Sequence, residues 1–278
     1  MNDPLSPLTV PPPRYLLESD SSDEEGQGAY PSTSTSRGSK SQPLPPQISI
    51  ILPEAGEVEE LVIGLGQAGR YITRSSGKVE PEGEVRVDGR VVGRGLKGEE
   101  GVLVLGLDES ELGYEAIWEL AEKLIDKVKA KRWTVITSYV PSMYIPSRSE
   151  RSSRSLVEAP IRYLSSTTGD ESKTDGASKF DAPNYLTGLA AALTALSAHP
   201  SSPSIDITTL SLPLPLSSLS VQRLSASLQT FSPLLAIQVG AKNRIKWTED
   251  DDEPYAAPGM GKVRGTKRGV GEAASMYT

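Results

Sequence analysis

Two stretches of this 278-residue chain space their residues as chemistry would require, and a third offers a site for modification. At the C-terminus, Met276, Tyr277 and Thr278 place an apolar side chain, a phenol and a terminal carboxylate in succession. A carboxylate-capturing pocket uses that set: an aromatic anchor for area, an apolar neighbour to wedge it, and a charge to pair with a buried lysine or a nest of backbone N–H groups. A frayed terminus is the plain alternative. Gly64-Leu65-Gly66-Gln67-Ala68-Gly69 matches the spacing of a dinucleotide-binding turn, and Asp88 lies about where a ribose-binding acid would be sought. Ser19, Ser21 and Ser22 stand beside or within an acidic cluster that suits an acid-directed kinase or, more simply, a solvated tail.

Other chemistries are excluded or poorly supplied. The absence of cysteine removes disulfides, thiolate metal sites and cysteine nucleophiles together. His199, the one histidine, precedes Pro200 at a predicted helix end, where the dipole favours a solvated imidazole over a catalytic base. No catalytic residue, metal ligand or cofactor is therefore assigned, and an enzyme is not expected. A net charge of −7, with no basic face studded with aromatics, argues against nucleic acid. No apolar run approaches the length of a bilayer span and no signal pattern opens the chain, so no membrane is expected and cytosol or nucleus is the default compartment.

The elements that must position these residues decide between readings. A phosphate-binding glycine turn works only with a helix behind it, whose free N–H groups hold the pyrophosphate. After Gly69 only Arg70–Ser76 could be helical before Gly77, Pro81 and Gly83, barely two turns. Glu84–Val87, Asp88-Gly89 and Arg90–Val92 then spell a hairpin with Asp88 in its turn, so the glycine run is expected to be structural. Ile48–Leu52 and Glu60–Leu65 predict strands. Val102–Leu107, an amphipathic helix through Leu112, Ile117, Leu120, Leu124 and Val128, and Thr134–Tyr139 give a strand-helix-strand unit with parallel strands. Asp108 and Glu111 read as a capping-box start for that helix, with Glu109 also at its positive end. Met143 and Tyr144, between Pro141 and Pro146, read as loop or cap residues.

Ser147–Lys179 reads as a polar surface excursion with one short helical piece near Leu156–Leu164. Asp181 would cap a helix with Pro183 in its first turn and a stripe of Leu186, Leu189, Leu193 and Leu196. Ile205–Leu212 predicts a strand, Val221–Phe231 a helix, and Leu234–Val239 fits either. The expected fold is one three-layer α/β domain over residues 48–247 with a largely parallel central sheet flanked by helices. It is bracketed by a disordered acidic, Pro- and Ser-rich tail over 1–47 and a flexible tail over 248–278. Five acids, Glu249–Glu253, open the second tail, and Lys262, Arg264, Lys267 and Arg268 are scattered among its glycines. As a coil its last roughly 25 residues would span about 25–30 Å.

In this order the segments resemble the fungal form of the proteasome assembly chaperone 1 family. The resemblance is carried by Glu60-Leu61-Val62-Ile63-Gly64-Leu65-Gly66, Trp133-Thr134-Val135-Ile136-Thr137-Ser138, Ala159-Pro160-Ile161-Arg162-Tyr163-Leu164, Ala182-Pro183-Asn184 and the terminal Met276-Tyr277-Thr278. It implies an α/β chaperone that forms a heterodimer with a second, related proteasome assembly chaperone and sits on the proteasome's α subunits during core-particle assembly. It also implies that Met276, Tyr277 and Thr278 form the proteasome-binding hydrophobic-Tyr-any motif, which enters pockets between α subunits with its carboxylate on a lysine. The glycine run departs in detail from the family pattern, and the alternative is a nucleotide-binding α/β enzyme using Gly64, Gly66 and Gly69.

Overall fold

The computed structural model describes residues 45–52, 58–75, 81–98, 101–147, 158–166, 176–200, 205–242 and 247–254. By contact the chain divides between Pro43 and Leu44, and these residues all belong to the second unit. Their strands are β1 (Ile48–Ile51), β2 (Val58–Leu65), β3 (Pro81–Val87), β4 (Arg90–Lys97), β5 (Val102–Leu107), β6 (Ala130–Tyr139), β7 (Ile161–Ser165), β8 (Ala177–Lys179) and β9 (Ile207–Pro213). The helices are α1 (Gly66–Ser75), α2 (Tyr114–Lys127), α3 (Gly188–Ser197), α4 (Val221–Phe231) and α5 (Pro233–Lys242). One sheet takes all the described strands, in the order β1-β3-β4-β5-β2-β6-β9-β7-β8.

The sheet is mixed, which corrects the expected largely parallel one. β5, β2, β6 and β9 are mutually parallel and form its centre, while β1-β3, β3-β4, β4-β5 and β7-β9 pair antiparallel. Connection length explains the split. Asp88 and Gly89, with φ of 50° and 77°, turn β3 directly into β4. A short link likewise joins β4 to β5, and such links permit only antiparallel neighbours, whereas α2 carries the chain from β5 over to β6.

Alternation along the parallel strands supplies two apolar faces. Leu61, Ile63 and Leu65 of β2 join Leu103, Leu105 and Leu107 of β5 under α2 and α3. Val62, Val102, Val104 and Ile136 point the other way, under α1, α4 and α5. Helices thus cover both faces of the sheet. On α3, Leu189 and Leu193 are buried, as the leucine stripe predicts, with Ala190 and Ala192 beside them.

Other elements differ from expectation. The helical piece near Leu156–Leu164 is in its described part strand β7: Ile161, Arg162 and Tyr163 are all buried, which suits a strand between two neighbours. The helix anticipated at Asp181 begins instead at Gly188. Asn184 is engaged elsewhere, its side chain bonded to the carbonyls of Asp181 and Ile145 and to the Ile145 N–H. Leu234–Val239 resolves as helix, within α5. The 1–47 tail lies outside the described residues except for residues 45–47.

Candidate functional site

The glycine run is a strand-to-helix turn, since β2 ends at Leu65 and α1 starts at Gly66. The ten-residue α1 corrects the expectation of barely two turns: Gly66 adopts φ +53° and the helix begins there, before Gly69 rather than after it. Gly64 and Gly69 let the helix lie directly on the strand. A Cβ on Gly69 would stand 2.3 Å from the Gly64 carbonyl oxygen, and one on Gly64 would stand 2.5 Å from the Gly69 Cα. Asp88 is a hairpin residue, as expected, and its carboxylate accepts the Gln47 N–H at 2.8 Å.

In front of α1 lies a crevice of about 340 Å³ at the carboxyl ends of β2, β5 and β6. Ligands of α/β sheets gather at this edge because the loops leaving successive parallel strands diverge there. Its charged lining consists of Arg70, Asp108, Glu109 and Glu253. Arg70 is bound to the Glu253 carboxylate through both terminal nitrogens at 2.7 Å, and the Gln67 side-chain amide pairs with the Glu253 backbone through both its oxygen and its nitrogen. Three carboxylates against one guanidinium that is already paired make poor surroundings for a pyrophosphate.

The opposite wall is aromatic. Tyr144 meets Tyr139 and Phe180 edge-on, each at 5.6 Å, and the buried Arg162 guanidinium lies 4.0 Å over its ring. The Tyr144 hydroxyl accepts the Asp181 N–H, and the two Asn184 bonds to the Ile145 backbone fasten this loop to the Ala182-Pro183-Asn184 turn. Met143, Ile145 and Tyr185 line the same crevice and are 71%, 47% and 81% exposed. Sequence reasoning treated Met143 and Tyr144 as loop or cap residues. Only the approach of residues 180–187 to the loop after β6 reveals them as a wall.

Glu109 is the site residue whose role the sequence misassigned. It does not cap α2, whose N-cap is Gly113 without a side-chain bond; Asp108 instead accepts from the N–H and hydroxyl of Ser110. The buried Glu109 carboxylate accepts the Leu189 N–H at the start of α3. Gly188 makes room for it with φ +64°, where a Cβ would come within 2.5 Å of a carboxylate oxygen. Burial raises the Glu109 carboxyl to about 7, with the nearby Asp108 charge adding to the rise and the Leu189 N–H opposing it. At the far end of β2, burial likewise raises Glu60, which Ser232 and Thr134 hydrogen-bond.

A folded-state value above the unfolded one means that the Glu109 contribution to stability is fully present below about pH 4.5 and is lost as pH rises through about 7. Glu109→Gln keeps an acceptor for Leu189 and removes the titration. Its stability relative to the native chain is expected to improve by roughly 2–3 kcal/mol between pH 5 and pH 8. Melting both proteins at the two pH values checks this. A stability difference that is the same at both would contradict it.

The domain continues past its expected end at Trp247. Trp247 packs edge-on against Tyr71 at 5.4 Å, and Arg74 lies over its indole and pairs with Asp251 at 2.6 Å. Asp252 accepts the N–H groups of Leu216 and Ser217 and the Trp247 indole N–H. Burial pushes the Asp252 carboxyl up, but these donors outweigh it and hold the group below its ordinary range. The acidic run is therefore a strap across α1 as far as Pro254. Met276, Tyr277 and Thr278 lie outside the described residues, as do Ser19, Ser21 and Ser22.

No family model matches the chain, and no curated protein matches it. Solved structures do. PbaA of Pyrococcus furiosus, an archaeal homolog of proteasome-assembly chaperone, aligns over 71% of this chain and 94% of its own at 12% identity and a TM-score of 0.47. PbaB of Pyrococcus furiosus, an archaeal proteasome activator, aligns over 71% and 93% at 13% identity and a TM-score of 0.44. A Thermoplasma acidophilum protein of unknown function aligns over 70% and 88% at 16% identity and a TM-score of 0.42. At these scores and identities the likeness is loose.

Proposed function

We propose that the protein is a proteasome core-particle assembly chaperone, which pairs with a related second chaperone and engages the α-subunit ring through Met276, Tyr277 and Thr278. The observation that carries this reading is the Met-Tyr-Thr terminus. An aromatic anchor and a carboxylate that enter a pocket together lose water together, which makes such a tip a concentrated source of affinity. The internal segments that share the resemblance support it by their placement. Glu60–Gly66 covers most of β2 and the first residue of α1, Trp133–Ser138 lies in the neighbouring β6, Ile161–Leu164 lies in β7, and Ala182-Pro183-Asn184 fastens the crevice wall. Capture from native lysate tests the reading. The full chain is expected to bring down α subunits and a second chaperone, and the chain lacking residues 276–278 to keep the second chaperone while losing most of the α subunits. Equal recovery of α subunits by both would contradict it.

The presence of α1 behind the glycine turn favours a second reading, nucleotide binding. The carboxylates of Asp108, Glu109 and Glu253 oppose it. A true binder at a hundredfold excess over Kd gains about 2.7 kcal/mol of stability. Saturating NAD or ATP is expected to leave the melting temperature unchanged. A rise of several degrees would revive the enzyme alternative.

A further inference from the structure

Among the described residues the acidic strap joins no strand of the sheet, and its regular piece is a single 3-10 turn, Glu249–Asp251. That turn is closed on itself. The Thr248 N–H and hydroxyl both donate to the Asp251 carboxylate, and the Asp251 N–H donates to the Thr248 carbonyl. The strap thus carries its own shape and meets the domain as a ligand meets a receptor. Arg70 and Arg74, one turn apart on a helix whose sequence contains no acid, hold Glu253 and Asp251 at 2.7 and 2.6 Å. The Leu216 and Ser217 N–H groups converge on the Asp252 carboxylate at 3.0 and 3.3 Å. The Tyr71 ring and the Arg74 guanidinium, 5.4 and 4.8 Å from the Trp247 ring, form a cleft for the indole. We infer that this face of α1 is a recognition site for an acidic segment led by a tryptophan. In this chain Trp247–Glu253 occupies it, and a segment of the same chemistry from a partner protein takes the site when the strap lifts.

The contacts favour exchange over permanent closure. Arg70, Glu253 and Arg74 are each about half exposed in their ion pairs, and such pairs contribute little apiece and yield to salt. Trp247 itself is only half-buried. A segment held by so few buried apolar contacts opens locally, ahead of the domain. Selectivity is set by the same groups. Both terminal nitrogens of Arg70 grip the Glu253 carboxylate, a fork geometry that neutral or basic side chains do not satisfy. The Trp247 indole N–H donates to Asp252 at 2.9 Å, which fixes the order of the segment as aromatic first and acids after. Residues 243–246 alone separate the strap from α5, and a short tether holds its cargo at an effective concentration on the order of millimolar. A competing segment therefore succeeds when its owner is itself held on the domain, as a bound second subunit is. Lifting the strap removes Glu253 and Pro254 from the crevice lining and lengthens the tether that carries Tyr277. The change of tether bears on the proposed function, whereas the recognition site does not depend on it.

A labelled peptide with the sequence of residues 247–254, Trp-Thr-Glu-Asp-Asp-Asp-Glu-Pro, tests the site by fluorescence anisotropy on the full chain. Trp247→Ala with Asp252→Asn frees the strap and leaves the receptor side intact. This chain is expected to bind the peptide at least about tenfold more tightly than the native chain, whose own strap competes. Adding Arg70→Glu and Arg74→Glu should remove at least about tenfold of that affinity, and 0.5 M salt should weaken it severalfold. Equal uptake by the native and freed chains, or uptake indifferent to the two arginines, would overturn the inference. Hydrogen exchange of the native chain adds a test that needs no variant. The Glu253 N–H, bonded to the Gln67 side chain, is expected to exchange at least about a hundredfold faster than the Leu61 and Ile63 amides of β2 once intrinsic rates are divided out. Equal protection would mean that the strap opens only with the whole domain, and would overturn exchange. A native dimer that Trp247→Ala converts to monomer in sedimentation would make a second copy the occupant and would also overturn it. None of these outcomes depends on whether Tyr277 binds α subunits.

Discussion

Tyr277→Ala is expected to weaken binding to a proteasome α-ring by roughly 30-fold or more, with no change in melting temperature. The size follows from the kind of contact proposed. An aromatic anchor that fills a desolvated pocket typically costs about 2 kcal/mol or more to truncate, and each 1.4 kcal/mol is tenfold in affinity. Stability is expected to be unchanged because the proposal assigns the Tyr277 ring to a pocket of the α-ring and not to the domain. Tyr277→Phe separates area from hydrogen bonding and should retain most of the affinity if the ring's burial dominates. Reversing the charges of Lys267 and Arg268 should matter far less, and mainly at low salt, because the proposal places neither in the pocket and charge pairs in water are screened over about 10 Å at 0.1 M. Calorimetric titration of purified α-ring with each variant checks the ordering. A charge-reversal loss as large as the alanine loss at physiological salt would contradict it.

Gly69→Ala is expected to destabilise the domain by about 3–5 kcal/mol, in the range reserved for core disruption. At an exposed helical position the same change would stabilise by up to about 1 kcal/mol through helix propensity, so the sign itself is informative. Here the new methyl would stand 2.3 Å from the Gly64 carbonyl oxygen, backbone that cannot swing aside. Relief requires lifting α1 off β2, and α1 contributes Ala68, Tyr71 and Ile72, all nearly fully buried, to the second apolar face. Gly113→Ala is the matched control. Gly113 has φ −70°, and an added Cβ meets nothing within 4 Å, so only a small change is expected there. Urea unfolding of the three proteins measures both. A Gly69→Ala midpoint equal to the native one would contradict the close approach of helix and strand.

This pair of glycines shows what a linear reading could and could not reach. Val102–Leu107, the α2 stripe and Thr134–Tyr139 were legible because their periodicities of 2 and 3.6 are set by which side chains face the core. The hairpin at Asp88-Gly89 was legible because its turn needs positive φ at both positions. α1 was partly missed because its first turn is made of the same glycines that mark the loop. Gly66 ends the strand and opens the helix at once, which propensity reads only as a breaker. The crevice was illegible for a different reason. Its walls come from the loops after β2, β5 and β6 and from residues 180–187, brought together only by the strand order. Glu109 illustrates the point, since it is a first-turn acid by position and instead reaches a helix that begins some 80 residues later. The strap over Trp247–Pro254 was hidden by composition. Consecutive acids read as a solvated tail until Arg70, Arg74 and the Leu216 and Ser217 N–H groups are placed opposite them.

The central claim is that the free terminus beyond Tyr277 is the functional site, and adding a single alanine after Thr278 tests it most directly. The extension leaves Met276, Tyr277 and every described residue intact and only moves the carboxylate by one position, about 3.5 Å along the chain. A pocket that pairs that carboxylate with a lysine loses a desolvated ion pair while keeping the ring, and leaving one charge buried without its partner typically costs about 2–5 kcal/mol. Titrating α-ring with the native and extended chains, at matched melting temperature, is expected to show at least about a tenfold loss of affinity. Equal affinity for the two chains would contradict the account.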